Sequence, residues 1–224
     1  MNAEIAIAGT GGQGVLVIGR LLAEAGFIED REVVWLPSYG AEKRGGTVSC
    51  NVTIADEKIG SLVIDRPGCA IAMNQVSALR LESSLKPGGL LVVNRTLAPQ
   101  RILRKDIHTI YISASQLAVK MGNESVANIV ALGALVAGYP VVARESIMRA
   151  MVSLFGRNPK ALELNTRAFE KGLACWAARQ VQQITHIKNL AKETKLKIPS
   201  IGFQNEPVIQ MPRRRKMGWQ SSPG

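Results

Sequence analysis

The chain of 224 residues is short of cysteine, histidine and aromatic side chains. Its three cysteines, Cys50, Cys69 and Cys175, form no C-x-x-C pair. Iron–sulfur clusters of the ferredoxin kind draw on closely spaced cysteines, so this chain is not expected to hold one. His108 and His186 stand in no ligand spacing, which leaves zinc equally unsupported. Cys50 and Cys69 read as buried free thiols. Three Trp, three Tyr and four Phe are present, and they do not interleave with basic residues. Stacking platforms for nucleic acid need such aromatics, so nucleic acid is not an expected partner. No run of 18 or more residues is apolar enough to span a bilayer. The N-terminus opens on a strand pattern without a charged leader and cleavage site. The expectation is a cytoplasmic chain with no membrane partner.

What is present begins with charge. The formal net charge is +11, and it is unevenly spread. From Val181 onward eight Lys or Arg face two acids, Glu193 and Glu206. Such basic ends bind an acidic surface or are simply solvated. From Lys197 onward, prolines at 199, 207, 212 and 223 argue against a helix, and 197–224 reads as a tail. The reading is an α/β domain over 1–180, followed by a helical extension and basic tail over 181–224.

The chain is organised around Gly9-Thr10-Gly11-Gly12-Gln13-Gly14. An apolar run, Ile5–Ala8, precedes it as a buried strand, and Val15–Ala25 follows as a buried helix. Gly9, Gly11 and Gly14 fit G-x-G-x-x-G in a strand–turn–helix context. The glycines allow a tight turn, close approach of a ligand or backbone, and close helix–strand packing. The helix N-terminus offers N–H groups and partial positive charge to an anion. A dinucleotide site would also want an acid at the end of the second strand to hold the ribose. Here Val33–Leu36 runs into Pro37-Ser38-Tyr39-Gly40, while Glu29, Asp30 and Glu32 come before the strand. A turn shaped for packing or for a subunit contact is therefore the reading ahead of a nicotinamide site.

Further on, Thr47–Ile54 alternates, with Val48, Cys50, Val52 and Ile54 on one face and polar residues on the other. That is the pattern of a strand near an edge or an interface. Asp56-Glu57-Lys58 reads as a hairpin turn into Ile59-Gly60-Ser61-Leu62. Cys69–Met73 and Leu90–Asn94 read as buried strands, with a helix opened by Asn74-Gln75 between them. Residues 107–112 alternate as a further strand, and a short helix follows at about Ser115–Met121. The stretch 126–138 is apolar nearly all round, as in a helix central to a domain or interface. Its polar exception, Asn128, must find partners when buried, by fixing local structure or by touching a ligand. Residues 144–154 are amphipathic, and Asn158-Pro159 starts a last helix running to about Lys195.

The glycine loop, Pro37-Ser38-Tyr39-Gly40-Ala41-Glu42-Lys43-Arg44-Gly45-Gly46, Ala72-Met73-Asn74-Gln75 and Lys86-Pro87-Gly88-Gly89, in that order, resemble the gamma subunit of 2-oxoacid:ferredoxin oxidoreductases. Asn165–Gly172 resembles its late helix. The resemblance covers about 1–180 and looks most like the 2-oxoglutarate type, with pyruvate and branched-chain types as alternatives. It implies a Rossmann-like mixed sheet with flanking helices. It implies a complex in which thiamine diphosphate with Mg2+ attacks the 2-oxo carbon, CO2 leaves, 4Fe–4S clusters pass electrons to ferredoxin, and coenzyme A accepts the acyl group. This chain lacks the Gly-Asp-Gly…Asn pattern for thiamine diphosphate and the cluster cysteines. The resemblance thus implies a subunit that binds none of these cofactors by itself, carries no catalytic or metal-ligating residue, and completes an assembly with alpha, beta and in some cases delta chains.

The loop expected to meet coenzyme A or a neighbouring subunit comprises Gly9, Thr10, Gly11, Gly12, Gln13, Gly14, Ser38, Tyr39, Gly40, Glu42, Arg44, Gly45, Gly46, Asn74 and Asn128. Arg44 between glycines can present its charge to a carboxylate or phosphate, or pair with Glu42 in a structural role. A free-standing nucleotide-binding protein is the reading of another class.

Overall fold

The computed structural model describes residues 2–40 and 46–193, with side chains of the last helix described to Ala178. Two compact units divide the chain, Met1–Gln182 and Gln183–Gly224. The first is built on six strands: β1 (Asn2–Thr10), β2 (Glu32–Tyr39), β3 (Thr47–Ala55), β4 (Cys69–Ala72), β5 (Leu90–Asn94) and β6 (His108–Ile112). Helix α1 (Val15–Ile28) follows β1, α2 (Gln75–Ser84) follows β4 and α3 (Ala114–Lys120) follows β6. A 3-10 turn at Glu124–Val126 leads into α4 (Ala127–Gly138), then α5 (Arg144–Phe155) and α6 (Pro159–Glu193).

The strands form one sheet in the order β2-β3-β1-β4-β5-β6. β1, β4, β5 and β6 are parallel, and β3 is antiparallel to both β1 and β2. Parallel strands need helical crossovers, which cover both faces. That is why Ile5–Ala8, Cys69–Ala72 and Leu90–Asn94 are buried on both sides. The larger core lies on the face of α1 and α4, where Ile5, Ile7, Val52 and Ile54 meet Ile18, Leu22 and Ile129. A smaller one on the other face sets Ala8, Ala70 and Val93 against Ala78 and Leu81 of α2. α4 is buried at ten of its positions, which accounts for a pattern apolar nearly all round.

Several sequence features act as anticipated. Asn74 Oδ1 accepts from Ser77 N at 2.9 Å and caps α2. Asn158 Oδ1 accepts from Ala161 N at 3.1 Å just ahead of Pro159 at the start of α6. The alternation of β3 buries Cys50, Val52 and Ile54 against α1. One expectation fails. No hairpin strand follows Asp56-Glu57-Lys58. Residues 56–68 carry neither helix nor strand, and Leu62 and Val63 are exposed. β3 already has β1 and β2 on its two sides, so no edge is left for a third partner there. Among the described residues no helix is long and apolar enough to cross a membrane.

Candidate functional site

β1 and β4 are adjacent and parallel, yet the chain leaves them in opposite directions: α1 leads toward β2, and α2 leads to β5. Open α/β sheets bind ligands in the crevice that such a divergence opens beyond the carboxyl ends of the strands. The glycine loop fills one side of this crevice. Gly12 and Gly14 have φ of 91° and 69°, left-handed values that favour glycine. Gln13 holds the turn shut, its Oε1 accepting from Thr10 N at 2.8 Å and from Asn74 Nδ2 at 3.2 Å. Gly11 N donates to Gly46 O at 3.1 Å, which ties the loop to the start of β3.

Gly14 caps α1 with no side-chain bond, and the first turn of the helix carries no acidic residue. Its macrodipole is therefore not offset by a local carboxylate. Asn128 reaches across from α4: Nδ2 donates to Gly14 O at 3.2 Å, and Oδ1 accepts from Ile129 N at 2.8 Å. A Cβ on Gly14 would overlap the Asn128 amide. The buried asparagine thus bonds the loop backbone through its amide nitrogen and the start of α4 through its amide oxygen.

β2 runs in the same direction as β1, with β3 between them. Register pairs Gly9 and Tyr39 with the same residue, Val48, and Gly40 N donates to Thr47 O at 2.7 Å. Ser38, Tyr39 and Gly40 therefore end at the same rim of the sheet as the glycine loop, and the Tyr39 ring is exposed. The structure brings Gly46, Asn74 and Asn128 each onto the loop Gly9–Gly14 and sets Ser38–Gly40 two strands away. Glu42, Arg44 and Gly45 lie outside the described residues.

A cavity of about 260 Å³ opens beside the loop, lined by Gly12, Gln13, Met73, Ser115, Glu124 and Ser125 among others. Ser115, Glu124 and Ser125 were not singled out in the sequence. Their one signal is the Asn123-Glu124-Ser125 turn, in which Asn123 Oδ1 accepts from Ser125 N at 2.9 Å. A second residue missed is Asn94, fully buried at the end of β5. Its Nδ2 donates to Ser115 Oγ at 2.9 Å and to Met73 O at 3.3 Å, joining the ends of β4 and β5 to α3.

Reactive chemistry is scarce. Burial pushes the Cys50 thiol up to about 11, and burial raises Cys69 further. Both are poor nucleophiles at neutral pH. Among the described residues no three His, Cys, Asp or Glu side chains gather as a metal site.

The described rim thus offers a helix start without a side-chain cap and a small cavity with a few polar groups, Gln13, Ser115, Glu124 and Ser125, among apolar ones. Comparison with known proteins shows the family. A family described as pyruvate ferredoxin/flavodoxin oxidoreductase matches residues 4–175. The chain belongs to this family. It is 36% identical over 180 residues to ketoisovalerate oxidoreductase subunit VorA of Methanothermobacter thermautotrophicus, a match covering 80% of this chain. The chain spans only 37% of that relative's length. To 2-oxoglutarate synthase subunit KorC of Methanocaldococcus jannaschii it is 32% identical, covering 77% of this chain and 92% of the relative. Among solved structures, the gamma subunit of a keto/oxoacid ferredoxin oxidoreductase from Geobacter sulfurreducens has a TM-score of 0.67 and 35% identity, over 79% of this chain and 99% of that one. The 2-oxoglutarate:ferredoxin oxidoreductase from Magnetococcus marinus, with 2-oxoglutarate, coenzyme A and succinyl-CoA bound, has a TM-score of 0.72 and 27% identity, over 79% of this chain and 31% of that one. The mixed six-stranded architecture is that of these gamma-subunit neighbours.

Proposed function

We propose that this chain is the gamma component of a 2-oxoacid:ferredoxin oxidoreductase whose thiamine diphosphate, Mg2+ and iron–sulfur clusters lie on alpha, beta and, where present, delta chains. In this reading ferredoxin takes the electrons and the chain alone is inactive. The observation that carries it is the family match across nearly the whole sheet, combined with a loop rim that has binding groups and no catalytic ones. The preferred substrate is 2-oxoglutarate, supported by the near full-length match to KorC. Ketoisovalerate is the second candidate, because the VorA relative is 36% identical.

Coenzyme A fits this rim as a partial ligand. The uncapped start of α1 suits an anionic group, and Gln13, Ser115 and Ser125 offer polar contacts to a neutral arm. Glu124 in the same cavity repels phosphate, so the pyrophosphate would lie toward α1 and away from Glu124. A cavity of about 260 Å³ is smaller than sites that enclose drug-sized ligands. This chain would therefore supply one wall, with partner subunits supplying the rest. When bound, coenzyme A would supply the thiol that accepts the acyl group.

A nicotinamide site is disfavoured by topology as well as by the missing acid. β3 is inserted between β1 and β2, so the end of β2 stands two strand spacings, roughly 10 Å, from the glycine loop. The test is anaerobic isolation of this chain with its native partners, followed by viologen reduction with and without coenzyme A on a panel of 2-oxo acids. Co-elution with coenzyme A-dependent activity on 2-oxoglutarate supports the reading. Activity on a branched acid alone corrects the substrate. A lone, inactive chain under oxygen-free conditions overturns it.

A further inference from the structure

Among the described residues β6 is an outermost strand of the sheet and pairs with β5 alone. Its backbone bonds show which groups are already used. His108 N donates to Gly89 O at 2.8 Å, and Ile112 O accepts from Arg95 N at 2.8 Å. In a parallel ladder alternate residues direct both their N–H and C=O to one neighbour. The N–H and C=O of Thr109 and Tyr111 therefore point away from β5, and no strand among the described residues meets them. Such an edge is a template for a further strand unless it is guarded.

Two grooves flank this edge, one on each face of the sheet, and they differ in chemistry. On the face of α2, a cavity of about 420 Å³ is lined by Arg95, Arg101, Arg104, Thr109 and Tyr111, among others, with no carboxylate among its lining residues. Arg104 is committed: its guanidinium meets Asp106 at 2.7 and 2.9 Å and donates to the Glu82 and Leu85 carbonyls. Arg95 and Arg101 are exposed, and their guanidinium groups make no hydrogen bond or ion pair among the described residues. The loop that carries them, 95–107, is long for a connection without regular structure, and such loops are commonly functional. It is also held in place, by Tyr111 Oη accepting from Ile102 N at 2.7 Å and Glu82 Oε1 accepting from Leu103 N at 2.6 Å. On the opposite face, a groove of about 540 Å³ runs past Ile110 and Ile112 to Leu117, Cys175 and Ala178, and carries no charged residue in its lining.

We infer that the free edge of β6 receives an extended segment of a partner chain in which acidic and apolar residues alternate. Backbone bonds to Thr109 and Tyr111 give the affinity, as in strand addition generally. Successive side chains of the added strand fall on opposite faces. One set meets Arg95 and Arg101, and the other enters the apolar groove beside Leu117. The chain's own basic C-terminal residues carry the wrong charge for the arginine groove. The inference stands apart from the 2-oxoacid reading, since it rests on the opposite edge of the sheet from β2.

The test uses the full chain and a short fluorescent peptide alternating Glu and Val, against a control alternating Lys and Val. Polarisation at low salt is expected to show the acidic peptide binding about tenfold or more tightly than the control. Hydrogen exchange is expected to slow at Thr109 and Tyr111 when the acidic peptide is added. Arg95→Glu with Arg101→Glu should abolish binding while β5 amides keep their protection, which shows that the variant is folded. Thr109→Pro removes an outward N–H and is tolerated at an edge; it should weaken binding with both arginines intact. Equal binding of the two peptides overturns the inference. Protection of Thr109 and Tyr111 in the free chain also overturns it, because the chain's own residues then hold the edge.

Discussion

At the residue scale the glycine loop depends on a side chain that resembles a spacer in the sequence. Gln13 Oε1 is the acceptor for both Thr10 N and Asn74 Nδ2. Gln13→Ala strands both donors in a half-buried place, where an unmet group costs about 1–3 kcal/mol. The expected result is a urea midpoint lowered accordingly with an unchanged m-value; an unchanged midpoint would show that water serves these donors equally well. Cys50 makes a second prediction, through pH. In the fold its thiol ionises near 11, against 9.0 for the free group, because burial disfavours the thiolate. The folded state therefore keeps its proton longer than the unfolded state. Stability from this group is complete below about pH 9 and falls as pH rises toward 11, at most by about 1.4 kcal/mol per pH unit. Cys50→Ala should lose less stability than the parent between those pH values, although it is less stable at neutral pH. Parallel profiles in denaturant melts would rule out the linkage.

At the scale of elements, what the sequence shows is periodicity, and what it hides is neighbourhood. β1, the glycine turn and α1 are legible because apolar runs flank left-handed glycines. The start of α2 is legible because Asn74 is a capping residue followed by Ser77 three positions on. The false hairpin after Asp56 has the opposite cause: a turn signal and an apolar run suffice to suggest a strand, but both neighbours of β3 were already taken. The contact between α4 and α6 was equally hidden. Gly133 and Gly172 face each other, and a Cβ on Gly133 would overlap the Phe169 carbonyl oxygen and lie 3.0 Å from the Gly172 Cα. Two backbones this close leave no side chain to yield. Gly133→Ala must push the helices apart, at a cost of about 1–3 kcal/mol by analogy with other overpacked cores, or a fall in Tm of roughly 2–4 °C per kcal/mol at this chain length. Gly11 is the internal control: its Cβ position is open, with nothing within 4 Å. Gly11→Ala is expected to melt with the parent, and a large loss there would mean that loop strain, not helix crowding, dominates both variants.

At the scale of the molecule, the candidate site is assembled by topology. β2 ends and β3 starts at the rim where β1 ends, so Gly46 comes to bond Gly11 although it is 35 residues on, while Tyr39 and Gly40 reach the same rim two strands away. Those residues were legible through their unusual glycine spacing. Ser115 and Glu124 were not, because they enter the same crevice from α3 and the turn before α4, and the Asn123-Glu124-Ser125 turn signal does not say which strand ends it will face. Arg44, followed by Gly45 and Gly46, belongs in the sequence to the segment between β2 and β3 and lies outside the described residues. If the rim is one wall of a site completed by partner chains, a cation there serves the assembly and not the fold. Arg44→Ala should then leave the unfolding free energy of the isolated chain within about 0.5 kcal/mol of the parent, as for an ordinary surface change. It should lower coenzyme A-dependent turnover of the reconstituted complex, or its assembly, by about tenfold or more, the scale of one charge-assisted hydrogen bond. Arg44→Lys keeps the charge but loses the bidentate fork, so partial recovery would assign the role to charge and none to geometry. Full turnover in a complex that has incorporated Arg44→Ala would remove Arg44 from the site and leave the glycine loop, Asn74 and Ser115 as the candidate contribution.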